Sequence, residues 1–227
     1  MENERRDSKA LEPDIIRDPH KKAEAEARNG LRQYDAGIQA VRTGLERPPF
    51  KLRLSLILAL HREALNGISV FAGNFRPAGV QIEGSKHEPP GAHLVPELIE
   101  ELCDYVNDNW DASTPIHLAA YIMWRLNWIH PFADGNGRTS RIVSYVVLSI
   151  RAGFVLPGAP TIPDQIVNNR VPYFEALDAA DQAYIEHRTV EVGKMETLIA
   201  SLLAEQLAGF YRSVGGKLPE DQHPSSS

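Results

Sequence analysis

The sequence predicts a mainly α-helical domain with one small β element, and three observations predict it. Apolar residues recur at helical spacing through most of the chain. Helix start and stop residues, such as Thr114-Pro115, Asn66-Gly67 and Gly153, divide those stretches. One interval rich in Gly and Pro, residues 68–90, contains the alternating run Val80-Gln81-Ile82.

Taken in order, residues 1–17 are charged, carry Pro13 and read as a loose lead-in. From Pro19 to about Val41 the chain is rich in Ala, Glu, Lys and Arg, which favour helix. Gly30 and Gly37 interrupt it, so a broken helix or two short ones is expected. Pro48-Pro49 punctuates the chain, and 51–65 follows as a helix with leucines too dense for a surface position. Residues 68–90 predict a short hairpin or flap. Helical spacing returns at 95–109, where Leu98, Leu102, Tyr105 and Val106 share a side. Thr114 caps a helix opened by Pro115, which presents Ile116, Ala119, Ala120, Met123 and Leu126 to a core. A further helix is expected from Asn136 to Arg151, then two more at 164–180 and 183–212. The tail GGKLPEDQHPSSS reads as disordered.

The 227 residues suffice for one substantial domain, and 43% hydrophobic with 24% charged residues is ordinary for a globular chain. A net charge of −6 offers no footprint for nucleic acid. Cys103 is the only cysteine, so no internal disulfide forms, and a small buried residue is its plainest reading. The polar N-terminus shows no signal peptide, and the apolar run 142–150 is too short to span a bilayer. A cytoplasmic protein that binds neither membrane nor nucleic acid is expected.

The chemistry concentrates in residues 130–141, HPFADGNGRTSR. A loop entering a helix N-terminus presents free N–H groups and partial positive charge, which suit phosphate. Gly135 and Gly137 let the backbone form a nest of amides around an anion. Arg138 and Arg141 stand three apart on one helix face and are placed to clamp a polyphosphate. Asp134 beside an anion makes sense if Mg²⁺ bridges them, since Mg²⁺ takes one or two carboxylates with phosphate oxygens. His130 has the ordinary pKa of a general base near neutrality, and Phe132 is expected to point inward and anchor the loop. Each residue has a plainer reading: a turn for GNG, a hydrogen-bonded histidine, a capping Asp, surface ion pairs for the arginines. Their combination at one helix entrance favours function.

The segment resembles the signature of the Fic (Fic/Doc) family, H-x-F-x-D/E-G-N-G-R-x-x-R, matched by His130, Phe132, Asp134, Gly135, Asn136, Gly137, Arg138 and Arg141. The similarity extends through GNFRPAGVQIEGSKHEPP and HLAAYIMWRLNWIHPF, over roughly residues 50–200. It implies a Fic-type helical bundle with a small β-hairpin flap, divided into an N-terminal helical extension (1–48, a regulatory candidate), a Fic domain (49–212) and a tail (213–227). It implies a protein adenylyltransferase with ATP as co-substrate and Mg²⁺ as metal. His130 would deprotonate a Tyr, Ser or Thr hydroxyl of a target protein. Asp134 would hold Mg²⁺, and Gly135, Asn136 and Gly137 would line the anion hole. Arg138 would grip the β-phosphate region and Arg141 the γ-phosphate. AMP would stay on the protein, with self-modification expected, and pyrophosphate would leave.

Flap residues Val80, Gln81, Ile82, Glu83, Gly84 and Ser85 would add the target's backbone as a strand, or they simply cover the core. Tyr173 would touch the adenine, or it is a core aromatic. Transfer of UMP or GMP, and a toxin-like binding module held by an antitoxin or by self-association, are the alternatives; the unaltered GNGR argues for AMP. Many relatives carry an inhibitory helix, S/T-x-x-x-E-G/N, whose Glu pairs with the second arginine. No complete copy stands here. Ser8 to Glu12 is followed by Pro13, Ser201 to Glu205 by Gln206, and Arg28 occupies the Glu position in AEARNGLRQYD. Either Glu26 or Glu205 substitutes, or the chain has no built-in brake.

Overall fold

Two helices buried on nearly every side form the centre: α4, Pro115–Ile129, and α5, Asn136–Ala152. The computed structural model describes Arg6, Ser8, Lys9 and residues 15–218 of the chain; the rest of the lead-in and residues 219–227 of the tail lie outside the described residues. Around the central pair stand α1 (Pro19–Glu46), α2 (Leu54–Leu65), α3 (Val95–Asp108), α6 (Ile162–Asn168), α7 (Val171–His187) and α8 (Gly193–Ser213). Two strands of two residues, β1 (Ser8–Lys9) and β2 (Gln81–Ile82), pair antiparallel with Ser8 opposite Ile82 and Lys9 opposite Gln81.

The mainly helical expectation holds. α4 starts where Thr114 accepts a hydrogen bond from the His117 N–H and Pro115 opens the helix. α5 stops at Gly153, whose φ of 90° is a left-handed C-cap. Between the two, Ser144 donates to the Ala119 carbonyl at 2.8 Å, and Trp124, Tyr145, Leu118 and Ile122 are fully buried. Each such side chain contributes about 1.5–3 kcal/mol by leaving water. No helix among the described residues is long and apolar enough to cross a membrane.

Three boundaries differ from expectation. α1 is one helix of 28 residues, unbroken at Gly30 and Gly37. Its inner face is a four-residue repeat of small and polar positions: Ala25, Asn29, Gln33, Gly37 and Val41. Asn29 donates to the Ala64 and Asn66 carbonyls and Gln33 to the Leu60 carbonyl, which satisfies groups at the end of α2. Gly37 lets α1 approach α5 closely, because a Cβ there would lie 2.8 Å from Ile142 Cδ1. The C-terminal part holds three helices where two were expected. A capping box of Thr161 and Asp164 opens α6, and Pro at the first turn opens α7. Finally, the flap supplies one strand, β2, and a turn closed by Ser85 N–H on the Ile82 carbonyl (3.3 Å). The partner of β2 is β1 in the supposedly loose lead-in, where a second flap arm was expected.

The two α1 glycines should therefore respond with opposite signs. Gly30 is exposed with open space around its Cβ position, so Gly30→Ala should raise stability by about 0.5–1 kcal/mol in urea unfolding. Gly37→Leu should lower it by about 1–3 kcal/mol through overpacking against Ile142 and Val146.

Candidate active site

The segment from His130 to Asn136 links α4 to α5 and is held shut by one side-chain amide. The Phe132 N–H donates to Asn136 Oδ1, and Asn136 Nδ2 donates back to the Phe132 carbonyl, each at 2.9 Å. Both groups are buried, so the amide satisfies a backbone that no ladder serves. Gly135 takes φ 78°, and a Cβ there would lie 2.4 Å from Leu65 Cδ2, so the turn needs glycine twice over. His130 takes φ 52°, which is uncommon for a residue with a side chain. Pro131 follows and cannot extend α4. Phe132 is fully buried, as expected of a loop anchor.

Residues outside the motif fix this loop, and the sequence reading did not single them out. His61 of α2 stacks on Phe132 with centroids 3.7 Å apart and planes 7° apart. Its Nδ1 accepts from the Gly73 N–H, so its Nε2 carries the proton and donates to the Asp134 carbonyl at 3.0 Å. Burial pushes its pKa down to about 4, keeping the ring neutral. Arg76, also buried, donates from Nε to the His130 carbonyl at 2.7 Å and from its other nitrogens to the Ala78 and Pro90 carbonyls. Its own N–H binds the Pro131 carbonyl. One guanidinium thus joins the flap to the loop.

His130 is buried, and that burial pushes its pKa down to about 4. Its Nδ1 faces the Asn127 carbonyl at 3.2 Å, and a carbonyl can only accept. The neutral ring therefore carries its proton on Nδ1 and presents a lone pair on Nε2. Ser8 Oγ lies 2.8 Å from that Nε2. A base whose tautomer is fixed by its own helix is ready to take a proton from a hydroxyl.

Next to it opens a cavity of about 670 Å³, within the range of small-ligand sites. The structure brings His130, Asp134, Gly135, Asn136, Gly137, Arg138 and Arg141 together around it, with Ile82, Ser85 and Tyr173. Phe132, Val80, Gln81, Glu83 and Gly84 lie outside its lining. The first turn of α5 has no side-chain cap, which leaves its N–H groups for an anion. Arg138 Nη2 is 3.1 Å from Asp134 Oδ2, and its Nη1 is 3.9 Å from Glu26 Oε1. Among the described residues no carboxylate forms an ion pair with Arg141, whose pKa burial lowers, or with Arg170 on the same cavity. The Arg170 Nε is buried with no acceptor. Two guanidiniums without acids in one cavity call for an anionic guest.

No cluster of three metal-ligating side chains exists among the described residues. The half-exposed Asp134 carboxylate is a single ligand beside a polyphosphate-sized cavity, and that fits Mg²⁺, which draws its other ligands from water and phosphate. Tyr173 has its ring buried, and its hydroxyl accepts from Asn127 Nδ2 at 2.8 Å on the cavity wall. Glu205 is exposed and absent from the lining, whereas its neighbour Gln206 is buried and ties Ile162, Tyr145 and Pro157 together. Cys103 is buried, and its thiol is pushed up to about 12 by that burial, which leaves it unreactive.

The loop clamp has a direct test. Asn136→Ala should cost about 1–3 kcal/mol in urea unfolding, because it strands the Phe132 N–H and C=O. Asn136→Asp retains an acceptor for the N–H and should fall between the two proteins.

Comparison with known proteins agrees with this geometry. A family model described as the Fic/DOC family matches residues 51–148. The protein adenylyltransferase Fic of Drosophila willistoni is 35% identical over 139 residues, which cover 60% of this chain and 26% of that protein. The protein adenylyltransferase fic-1 of Caenorhabditis briggsae is 32% identical over 142 residues, 60% of this chain and 26% of the relative. The chain thus spans about a quarter of the length of the curated relatives it matches. In fold it resembles a Fic family protein from Desulfovibrio desulfuricans G20, with a TM-score of 0.63 and 22% identity, covering 91% of this chain and 63% of that one. Fic-1 from C. elegans gives a TM-score of 0.66 and 21% identity, covering 88% and 54%. Both the signature loop and the helices that hold it therefore identify residues 51–148 as a domain of the Fic/DOC family.

Proposed function

We propose that this protein transfers AMP from Mg-ATP to a Tyr, Ser or Thr hydroxyl on a protein. The observation that carries the reading is the placement of a hydroxyl-facing His130 Nε2 beside an uncapped helix N-terminus and two guanidiniums that have no acid partner among the described residues. A binding module needs the second half of that arrangement and has no use for the first. The names of the relatives, which are adenylyltransferases, point the same way.

In this reading the amides of Asn136, Gly137 and Arg138 and the guanidiniums of Arg138 and Arg141 receive the phosphates. Asp134 holds Mg²⁺, which supplies charge neutralisation to the departing pyrophosphate. His130 Nε2 takes the acceptor's proton as its oxygen attacks the α-phosphorus. The Nδ1 bond to Asn127 keeps the base in the correct tautomer, and Arg76 fixes its backbone. Positioning and electrostatics supply most of the rate. The flap edge around Val80–Ser85 guides the acceptor, a use supported by its pairing with an extended segment through Gln81 and Ile82. Glu26 faces Arg138 and not Arg141, so among the described residues no glutamate pairs with the arginine assigned to the γ-phosphate.

His130→Ala should abolish protein labelling from α-labelled ATP while leaving Mg-ATP affinity within about twofold, since the residue serves the chemical step. Label that persists in His130→Ala overturns the proposed base. Label from UTP or GTP but not from ATP replaces AMP with another nucleotide, and absence of label from every nucleotide with intact binding favours a binding module.

A further inference from the structure

The strand partner of the flap is a piece of the same chain, and it brings a hydroxyl to the base. Arg6 fixes this piece at one end: its guanidinium makes two bonds to the Asp178 carboxylate, at 2.9 and 2.7 Å, and lies 4.6 Å over the Phe174 ring. Ser8–Lys9 then pairs with Gln81–Ile82 as an added strand. Between these two fixings the Ser8 hydroxyl meets His130 Nε2 at 2.8 Å and Asn136 Nδ2 at 3.4 Å. The Asn127 carbonyl has already assigned the ring proton to Nδ1, so the Ser8 O–H donates to Nε2. Ser8 lines the same cavity as Arg138 and Arg141.

We propose that Ser8 is the intramolecular acceptor of this site: the chain presents its own serine as a substrate strand and modifies it in cis. The inference rests on the nucleotidyl-transfer reading above and deepens it by naming the acceptor. Ser8 Oγ bonds to the α-phosphorus of ATP, the bond from that phosphorus to the bridging oxygen of the β-phosphate breaks, and pyrophosphate leaves. The Oγ proton passes to His130 Nε2. A hydroxyl held at hydrogen-bond distance from its base needs no bimolecular encounter, which favours the cis reaction over transfer between copies. While β1 is in place it covers the edge of β2, so another protein reaches the base only by displacing it.

The experiment is peptide mapping by mass spectrometry after incubation of the full chain with Mg²⁺ and α-labelled ATP. Wild type, Ser8→Ala, Ser8→Thr, Arg6→Ala and His130→Ala are compared over a range of protein concentrations. AMP on Ser8 is expected, at a rate per chain independent of concentration. Ser8→Ala should lose that label to the His130→Ala level while binding Mg-ATP as wild type does, Ser8→Thr should keep label at position 8, and Arg6→Ala should slow it. Label confined to other residues, unchanged in Ser8→Ala, overturns the Ser8 assignment and leaves nucleotidyl transfer standing. A rate per chain that rises with concentration overturns the cis step. Label that appears only on added proteins, and more strongly in Ser8→Ala or Arg6→Ala, makes the segment a plug and overturns its role as substrate. Absence of label from every variant and every added protein overturns this proposal together with the reading beneath it.

Discussion

The two hydrogen bonds between the Asn136 side chain and the Phe132 backbone decide the shape of everything near the cavity. They close the passage from α4 to α5 into a tight loop, which brings the end of one central helix beside the start of the next. His130 and the first turn of α5 are thereby set next to each other on one cavity. The loop is further fixed at its carbonyls. His61 binds that of Asp134 and Arg76 that of His130, and α4 supplies the Asn127 carbonyl that orients the imidazole. A buried backbone that leaves regular structure must find partners of this kind, and each partner also removes a degree of freedom from the site.

Charge around the cavity follows a consistent division. Arg138 is shared by Asp134 and Glu26, so it is held in place before any ligand arrives. Arg141 and Arg170 have no such acids among the described residues; burial lowers the pKa of Arg141, and the Arg170 Nε is buried with no acceptor. A polyphosphate would resolve that cost with paired hydrogen bonds. Glu26 reaches this arrangement from an α1 that runs unbroken along α2 and α5. Its partner is the first motif arginine, which distinguishes it from an acid that would occupy the position of the terminal phosphate.

Much of this was legible in the sequence where side chains carry the signal themselves. The apolar spacing of α4 and α5, the Thr114 cap and the Gly153 stop appear in the structure where the chain announces them. The motif residues His130, Asp134, Gly135, Asn136, Gly137, Arg138 and Arg141 gather around one cavity, with Phe132 buried behind it. What escaped works by other means. The α1 stripe of Ala25, Asn29, Gln33, Gly37 and Val41 is neither apolar nor periodic on a hydropathy reading, because it packs by smallness and by bonds to carbonyls. His61 and Arg76 act on main-chain oxygens and Asn127 acts through its own, and such oxygens exist at every residue and so leave no pattern. The Thr161–Asp164 capping box and Pro172 do mark the split of the C-terminal helices and could have been read. A two-residue strand such as β1 has no local signature, because its pairing comes entirely from the flap it meets.

In the proposed function the N-terminus of α5 receives the phosphates while His130 faces an acceptor hydroxyl. A crystal structure with Mg²⁺ and an ATP analogue whose α–β bridge resists cleavage tests it most directly. Phosphates are expected on the amides of Asn136, Gly137 and Arg138, the terminal phosphate on Arg141, and the α-phosphorus on the side of the cavity that Ser8 and His130 face. A polyphosphate bound away from the α5 N-terminus, or lying there in reverse with the terminal phosphate beside His130, would contradict it.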